Sequence, residues 1–196
     1  MKKNKKTISE IPGIEQLEVE LAREKHRRRY KSVFRSTINT LLVVAACAVL
    51  VAVLFLPVLK IYGRSMEPTL SEGDIVISVK GADFEPGDLV SFYVGNKLLV
   101  KRFIAGPGQW VDIDNDGNVY VDQKLLHEPY IEKKDIGDCN IKLPYQVPEN
   151  RIFVLGDHRA TSIDSRNIAV GSVTDEQVVG KIMFRVWPFS KFGEVR

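Results

Sequence analysis

The hydrophobic positions of this chain fall into two regions with different patterns. The first region, Ser36 to Leu59, contains no Asp, Glu, Lys or Arg and has no polar face after Thr40. A helix of this length crosses a hydrocarbon core of about 30 Å, because each residue adds about 1.5 Å. Residues 36–59 are therefore predicted to form a transmembrane helix.

The second region begins at Asp74 and consists of short apolar runs separated by Gly, Pro and Asp. No segment of it repeats at the helical period, so we expect a mainly β, antiparallel domain of partly open, barrel-like form over residues 60–196. Within it, residues 106–150 are predicted to form a smaller inserted region, loosest over 122–150. The predicted strands are Ile75–Val79, Leu89–Val94, Leu98–Ile104, Trp110–Ile113, Asn118–Val121, Ile152–Leu155 and Lys181–Val186.

Charge divides the chain at the apolar run. Residues 1–35 carry 11 Lys/Arg and 5 Asp/Glu, whereas residues 60–196 carry 17 and 20. An excess of positive charge on one side of a span predicts a cytoplasmic N-terminus and an extracytoplasmic domain 60–196. Anionic lipid explains a basic segment beside the span more simply than nucleic acid does, and we expect no nucleic-acid partner.

The basic segment 1–35 has an apolar periodicity of its own. Apolar residues recur every three or four positions, at Ile8, Ile11, Ile14, Leu17 and Leu21. This spacing predicts an amphipathic helix on the inner leaflet, broken near Pro12-Gly13. A disordered charged tail is an equal alternative.

Three local patterns suggest processing or binding that we do not expect. The apolar run is too long for a cleaved secretory signal. Val44–Cys47 resembles a lipidation box, but apolar residues continue beyond it. Asp112 to Gly117 begins like a calcium loop, but its twelfth position is Gln123, and a β-hairpin turn at 115–117 explains the same residues. The sequence thus predicts a permanent anchor, without a metal or cofactor.

One serine lies where a turn is predicted, directly after the apolar run. Ser65 follows Gly63 and precedes Pro68, which excludes the interior of a long helix. A serine nucleophile needs a base, and the candidates are His158 and Lys101. Lys101 lies on an apolar predicted strand, where burial would lower its pKa by as much as several units. The alternative is a lysine that reaches solvent at the sheet edge.

Several motifs in this order resemble one family, the type I signal peptidases of bacteria, in the single-anchor form of Gram-positive species. The resemblance covers about residues 36–187, and its last motif is highly specific. The motifs are Gly63-x-Ser65-Met66-x-Pro68-Thr69-Leu70, Gly73-Asp74, Pro86-Gly-Asp88, Val100-Lys101-Arg102 and Gly156-Asp157-x-Arg159-x-x-Ser162-x-Asp164-Ser165-Arg166.

The resemblance implies a membrane-bound serine endopeptidase that removes signal peptides from secreted preproteins after Ala-x-Ala-like sites. In that reading Ser65 is the nucleophile and Lys101 is the general base. The implied supporting residues include Ser162, which orients the Lys101 amine, and the Asp164–Arg166 ion pair; the others are Met66, Pro68, Arg102, Gly156 and Asp157. The implied partners are preprotein signal peptides, the lipid bilayer and a nearby secretion translocon.

Three features depart from the family pattern. Gly63 lacks the hydroxyl that some relatives carry two residues before the nucleophile. His158 stands where the family commonly has Asn, and Ala105-Gly-Pro-Gly-Gln109 replaces the usual Gly-Leu-Pro-Gly-Asp. These changes concern loops around the site and leave the Ser65/Lys101 pair intact.

Two other classes of function compete with this interpretation. A catalytically silent, membrane-anchored binding module of the same fold predicts a missing site residue, and none is missing. Other Ser/Lys hydrolases include penicillin-binding enzymes, which need Ser-x-x-Lys where this chain has Pro68. A self-cleaving repressor would carry a DNA-binding domain instead of an apolar span.

Overall fold

The structure, a computed structural model, describes residues 14–195. The chain forms two compact units that divide after Leu50. Helix α1 covers Ile14–Phe55. It contains an 18-residue window with a mean hydropathy of 2.7, long and apolar enough to cross a membrane. Of the periodic apolar residues, Ile14, Leu17 and Leu21 lie on α1, while Ile8 and Ile11 lie outside the described residues.

The helix differs from the predicted span at both ends. It begins before Ser36, since residues 14–35 are helical as well. It ends at Phe55, and Val58–Lys60 form a strand instead of the end of a membrane helix. Pro57 is the physical reason, because proline has no N–H to donate and disfavours helical geometry in the residue before it.

Beyond the helix, the part of the chain that the structure describes forms twelve strands. In chain order they are β1 Val58–Lys60, β2 Ile75–Val79, β3 Leu89–Val94, β4 Lys97–Ala105, β5 Trp110–Ile113, β6 Val119–Val121, β7 Lys124–Leu125, β8 Tyr145–Gln146, β9 Arg151–Leu155, β10 Val173–Thr174, β11 Val178–Trp187 and β12 Gly193–Glu194. Two short 3₁₀ helices cover Asp175–Gln177 and Phe189–Lys191.

The strands form two antiparallel sheets. The large sheet has the order β1-β2-β11-β3-β4-β9-β10, with β12 paired to β11, and the small sheet has the order β7-β6-β5-β8. All pairs described in residues 14–195 are antiparallel. The predicted class, an antiparallel β-rich domain after an N-terminal apolar helix, is confirmed. Within the described chain β1 and β10 stand at opposite ends of the large sheet and do not pair, so the sheet does not close into a barrel.

Short turns rich in Gly and Asn or Asp join neighbouring strands. Gly95-Asn96 joins β3 to β4 in a two-residue hairpin, in which Val94 pairs with Lys97. β5 and β6 form the hairpin predicted for the calcium-loop-like segment. The carboxylate of Asp114 accepts hydrogen bonds from the backbone of Asp116 and Asn118, so it stabilises the turn. The inserted region 106–150 contains the small sheet.

Candidate active site

Ser65 lies in a tight turn between β1 and β2, and two side chains of this turn enter the core. Met66 and Leu70 are buried and pack with Val76 and Leu89. The amide of Leu70 donates to the carbonyl of Met66 at 2.8 Å. Ser65 itself is half-buried. These core contacts fix the backbone of the segment that follows Ser65.

Lys101 lies on β4 and is 3% exposed. Burial lowers the pKa of its amine from 10.5 to about 8, because a charged ammonium is costly to desolvate. Asp164 and Asp157 oppose this effect, and Arg166 adds to it. A substantial fraction of Lys101 is thus neutral near pH 8, as a general base must be.

Ser65 and Lys101 line the same cavity, whose volume is about 380 Å³. The remaining lining residues come from two extended segments and from Met66, namely Val58, Leu59, Lys60, Ile61, Tyr62, Leu98, Leu99 and Val100. Within residues 14–195, neither the Ser65 hydroxyl nor the Lys101 amine has a hydrogen-bond partner. The Ser65 oxygen and the Lys101 nitrogen are therefore available to a group that enters the cavity.

The loop after β9 contacts the Ser65 turn through its backbone. The amide of His158 donates to the Ser65 carbonyl at 3.1 Å. The Gly156 amide donates to Asp164 Oδ2 at 2.9 Å. Arg166 binds that carboxylate through Nε at 2.9 Å and Nη2 at 2.8 Å. Because of Arg166, the pKa of Asp164 is lowered although burial alone would raise it.

Ser162 is buried beside this ion pair. Its Oγ makes no hydrogen bond of standard geometry in the part of the chain that the structure describes, but it lies close enough to Asp164 to contribute to the lowered pKa of that carboxyl. The expected hydrogen bond between Ser162 and the Lys101 amine is therefore not formed in this structure.

Arg102 follows Lys101 on β4 and consequently points to the opposite face of the strand. It binds Asp157 through Nε at 2.8 Å and Nη2 at 2.6 Å, with both side chains buried. Thr69, from the Ser65 turn, donates its hydroxyl to Asp157 Oδ2. Asp157 thus links β4, the loop after β9 and the turn that carries Ser65.

The remaining predicted site residues have simpler surroundings. Pro68 is exposed on the turn. The ring of His158 does not line the cavity. Its Nδ1 makes a hydrogen bond with the Thr161 hydroxyl at 2.9 Å. Of the two candidate bases, Lys101 is therefore the one that shares a cavity with Ser65.

Some residues around the site were missed at the sequence level. Val58 and Leu59 of the wall Val58–Tyr62 were assigned to the membrane helix, and Pro57 was the signal that the helix ends before them. Glu128 and Tyr130 belong to the insertion and contact Arg159 and Arg102. These contacts join positions about thirty residues apart, and no local pattern signals them.

The fold and this cavity define a β-protein with a long N-terminal apolar helix, in which a serine hydroxyl and a lysine amine share one site. Residues 34–187 match the family described as signal peptidase, peptidase S26. Signal peptidase IB of Staphylococcus aureus strain Mu50 is 38% identical over 153 residues, covering 67% of this chain and 78% of its own length. Signal peptidase I of Bacillus amyloliquefaciens is 33% identical over 185 residues, covering 88% and 98%.

A solved structure is also similar. The crystal structure of a signal peptidase I from Enterococcus faecalis V583 aligns with a TM-score of 0.44 and 26% identity, covering 51% of this chain and 97% of that chain. The sequence matches carry the assignment: the chain belongs to the signal peptidase family, peptidase S26. It is accordingly a serine protease of the type that removes signal peptides.

Proposed function

We propose that this chain cleaves secreted preproteins after Ala-x-Ala-like sites, with Ser65 as nucleophile and Lys101 as general base. The observation that carries the proposal is the shared cavity, in which a free hydroxyl lies with a buried amine whose pKa is lowered to about 8. No other lysine or histidine lines that cavity apart from Lys60 on β1, among the described residues.

The reaction proceeds by acyl transfer. Neutral Lys101 takes the proton from Ser65 Oγ as the oxygen attacks the scissile carbonyl. The backbone N–H of Ser65 has no acceptor within residues 14–195 and is free to donate to the developing oxyanion. The Lys101 ammonium then returns the proton to the leaving amine. Water, activated by Lys101, hydrolyses the Ser65 ester and regenerates the enzyme.

The cavity walls suit an extended peptide. β1 is an end strand, and residues Leu98–Lys101 of β4 pair with β3 only, since the pairing with β9 begins at Arg102. Both walls therefore have unpaired backbone groups, which can bind an added strand. Leu98 and Val100 line a cavity of only about 380 Å³, which favours small apolar side chains such as Ala.

Cleavage of a preprotein with an Ala-x-Ala site, by the full chain in detergent, tests the proposal. We expect Ser65→Ala and Lys101→Met to abolish cleavage while both proteins stay folded. Lys97→Met is the matched control, because Lys97 is an exposed lysine on the same strand; it should cleave at the wild-type rate. Full activity in Ser65→Ala or Lys101→Met would refute the assignment. An inactive wild type would favour the silent binding module.

The proposed orientation puts residues 1–35 in the cytoplasm and residues 60–196 outside, next to the translocon from which preproteins emerge. The basic cluster before the apolar span supports it. Protease added to intact cells should degrade the β-domain and spare an epitope tag at the N-terminus. The reverse pattern would refute this orientation.

The proposed lipid contact involves aromatic residues at the end of β11. Trp187 and Phe189 pack edge to face at 5.0 Å between ring centroids and remain 49% and 75% exposed, and Phe192 is exposed nearby. Exposed tryptophan and phenylalanine suit the membrane interface. In vesicles containing brominated lipid, we expect the fluorescence of Trp187, measured in Trp110→Phe, to be quenched. The fluorescence of Trp110, measured in Trp187→Phe, should not be quenched. Equal quenching of both would contradict the contact.

A further inference from the structure

Glu128, in the inserted region, is a buried carboxylate without contact to solvent. Its side chain is 0% exposed and pairs with Arg159, which is 1% exposed. Arg159 Nη1 donates to Glu128 Oε2 at 3.2 Å, and Nη2 donates to Oε1. A buried charge is tolerated only when it is paired and hydrogen-bonded, so each residue depends on the other.

Tyr130 joins this ion pair to a second arginine. The guanidinium carbon of Arg102 lies 3.8 Å from the centroid of the Tyr130 ring, which is stacking distance for a cation on an aromatic face. The Tyr130 hydroxyl donates to Glu128 Oε1 at 3.3 Å. Burial and the charge of Glu128 raise the pKa of Tyr130, so the phenol keeps its proton.

Both arginines bind the first residues of the loop after β9. Arg102 donates two hydrogen bonds to the Asp157 carboxylate, at 2.8 and 2.6 Å. Arg159 Nε donates to the Gly156 carbonyl at 3.1 Å. Residues 128–130 therefore contact both of the side chains that fix Gly156 and Asp157 in place.

The same loop abuts the turn that carries Ser65. His158 donates its amide to the Ser65 carbonyl. A Cβ atom built on Gly156 would lie 2.5 Å from that carbonyl oxygen, so the loop and the turn pack directly against each other. A displacement of the loop is thus passed directly to the backbone of Ser65.

We propose that Glu128 and Tyr130 are positioning residues, which act through Arg159 and Arg102 to set the place of Ser65 against Lys101. The inference rests on the proposed roles of Ser65 and Lys101. Its physical basis is that a misplacement of about 1 Å at a reacting group lowers the rate by about 100-fold. The small inserted region then serves catalysis without touching the substrate.

Glu128→Gln tests this proposal in the full chain, with Glu132→Gln as matched control. Glu132 is an exposed glutamate of the same segment. We expect kcat of Glu128→Gln to fall about 10- to 100-fold, with KM within about twofold of wild type, at a temperature where the protein is folded. Glu132→Gln should retain both constants.

Wild-type kcat in folded Glu128→Gln would overturn the proposal, and so would a rise in KM alone. If Glu128→Gln does not fold, Tyr130→Phe decides, because it removes one hydroxyl and keeps the stacking on Arg102. A fall in its kcat of about threefold at unchanged KM supports the proposal, and wild-type kcat overturns it. Cleavage by Ser65→Ala, measured in parallel, distinguishes failure of the proposed function from failure of this inference.

Discussion

The backbone of Gly156 lies so close to Ser65 that a Cβ atom at position 156 would be 2.5 Å from the Ser65 carbonyl oxygen and 2.1 Å from Ser162 Oγ. A side chain there cannot be accommodated by rotating a flexible group, since one obstacle is backbone. The glycine therefore permits the loop after β9 and the Ser65 turn to meet.

Replacing this glycine should damage both stability and activity. We expect Gly156→Ala to lower the free energy of unfolding by about 1–3 kcal/mol, the usual effect of overpacking a core, and to abolish most cleavage. Chemical denaturation and a cleavage assay of the full chain in detergent would measure the two effects.

Gly106→Ala is the control for that variant. Gly106 also has a backbone that accepts an alanine, and its added Cβ would meet ordinary contacts at 3.6 and 3.8 Å. It should unfold and cleave like wild type. Equal behaviour of the two alanine variants would show that the close approach at Gly156 has no consequence.

The Arg102–Asp157 pair should be a major contributor to folding. Asp157→Asn leaves the Arg102 charge buried without a counter-charge, so we expect a loss of about 3–5 kcal/mol in the free energy of unfolding. For comparison, Glu67→Gln removes an ion pair of 3.9 Å with Arg64, with side chains 35% and 76% exposed, and should cost less than about 1 kcal/mol. Denaturation curves that rank the two variants in the reverse order would contradict this.

Lys101 should make stability depend on pH. The pKa of its amine is about 8 in the fold and 10.5 in the unfolded chain, so the unfolded chain binds more protons between those values. Wild-type stability should therefore rise by about 3 kcal/mol from pH 8 to 10.5, relative to Lys101→Met, which has no amine to titrate. A constant difference between the two proteins across this range would show that Lys101 is not desolvated.

Sequence patterns predicted the strands of the domain well where a strand has its own apolar run. Ile75–Val79, Leu89–Val94 and Trp110–Ile113 have the predicted bounds. The short strands β7, β8, β10 and β12 were missed, because two residues carry no periodicity. β1 was missed because its residues continue the apolar composition of the helix, and only pairing with β2 makes them a strand.

The residues of the candidate site likewise include some that the sequence predicted and some that it could not. Ser65 and Lys101 were predicted from local motifs, and they line one cavity. The partners of Arg159 and Arg102 in the insertion could not be predicted, since such contacts depend on how the small sheet packs. The Ser162–Lys101 hydrogen bond was expected from resemblance and is not formed in this structure. A motif fixes the order of residues and does not contain the distances on which a hydrogen bond depends.

The most direct test of the account is the pH dependence of kcat/KM for preprotein cleavage by the full chain. Since Lys101 must be neutral to accept the proton of Ser65, the rate should rise about tenfold per pH unit below the pKa and level off above about 8. A rate that is flat between pH 6 and 10 (roughly two units either side of that pKa), or one that falls as the pH rises through about 8, would contradict a lysine base.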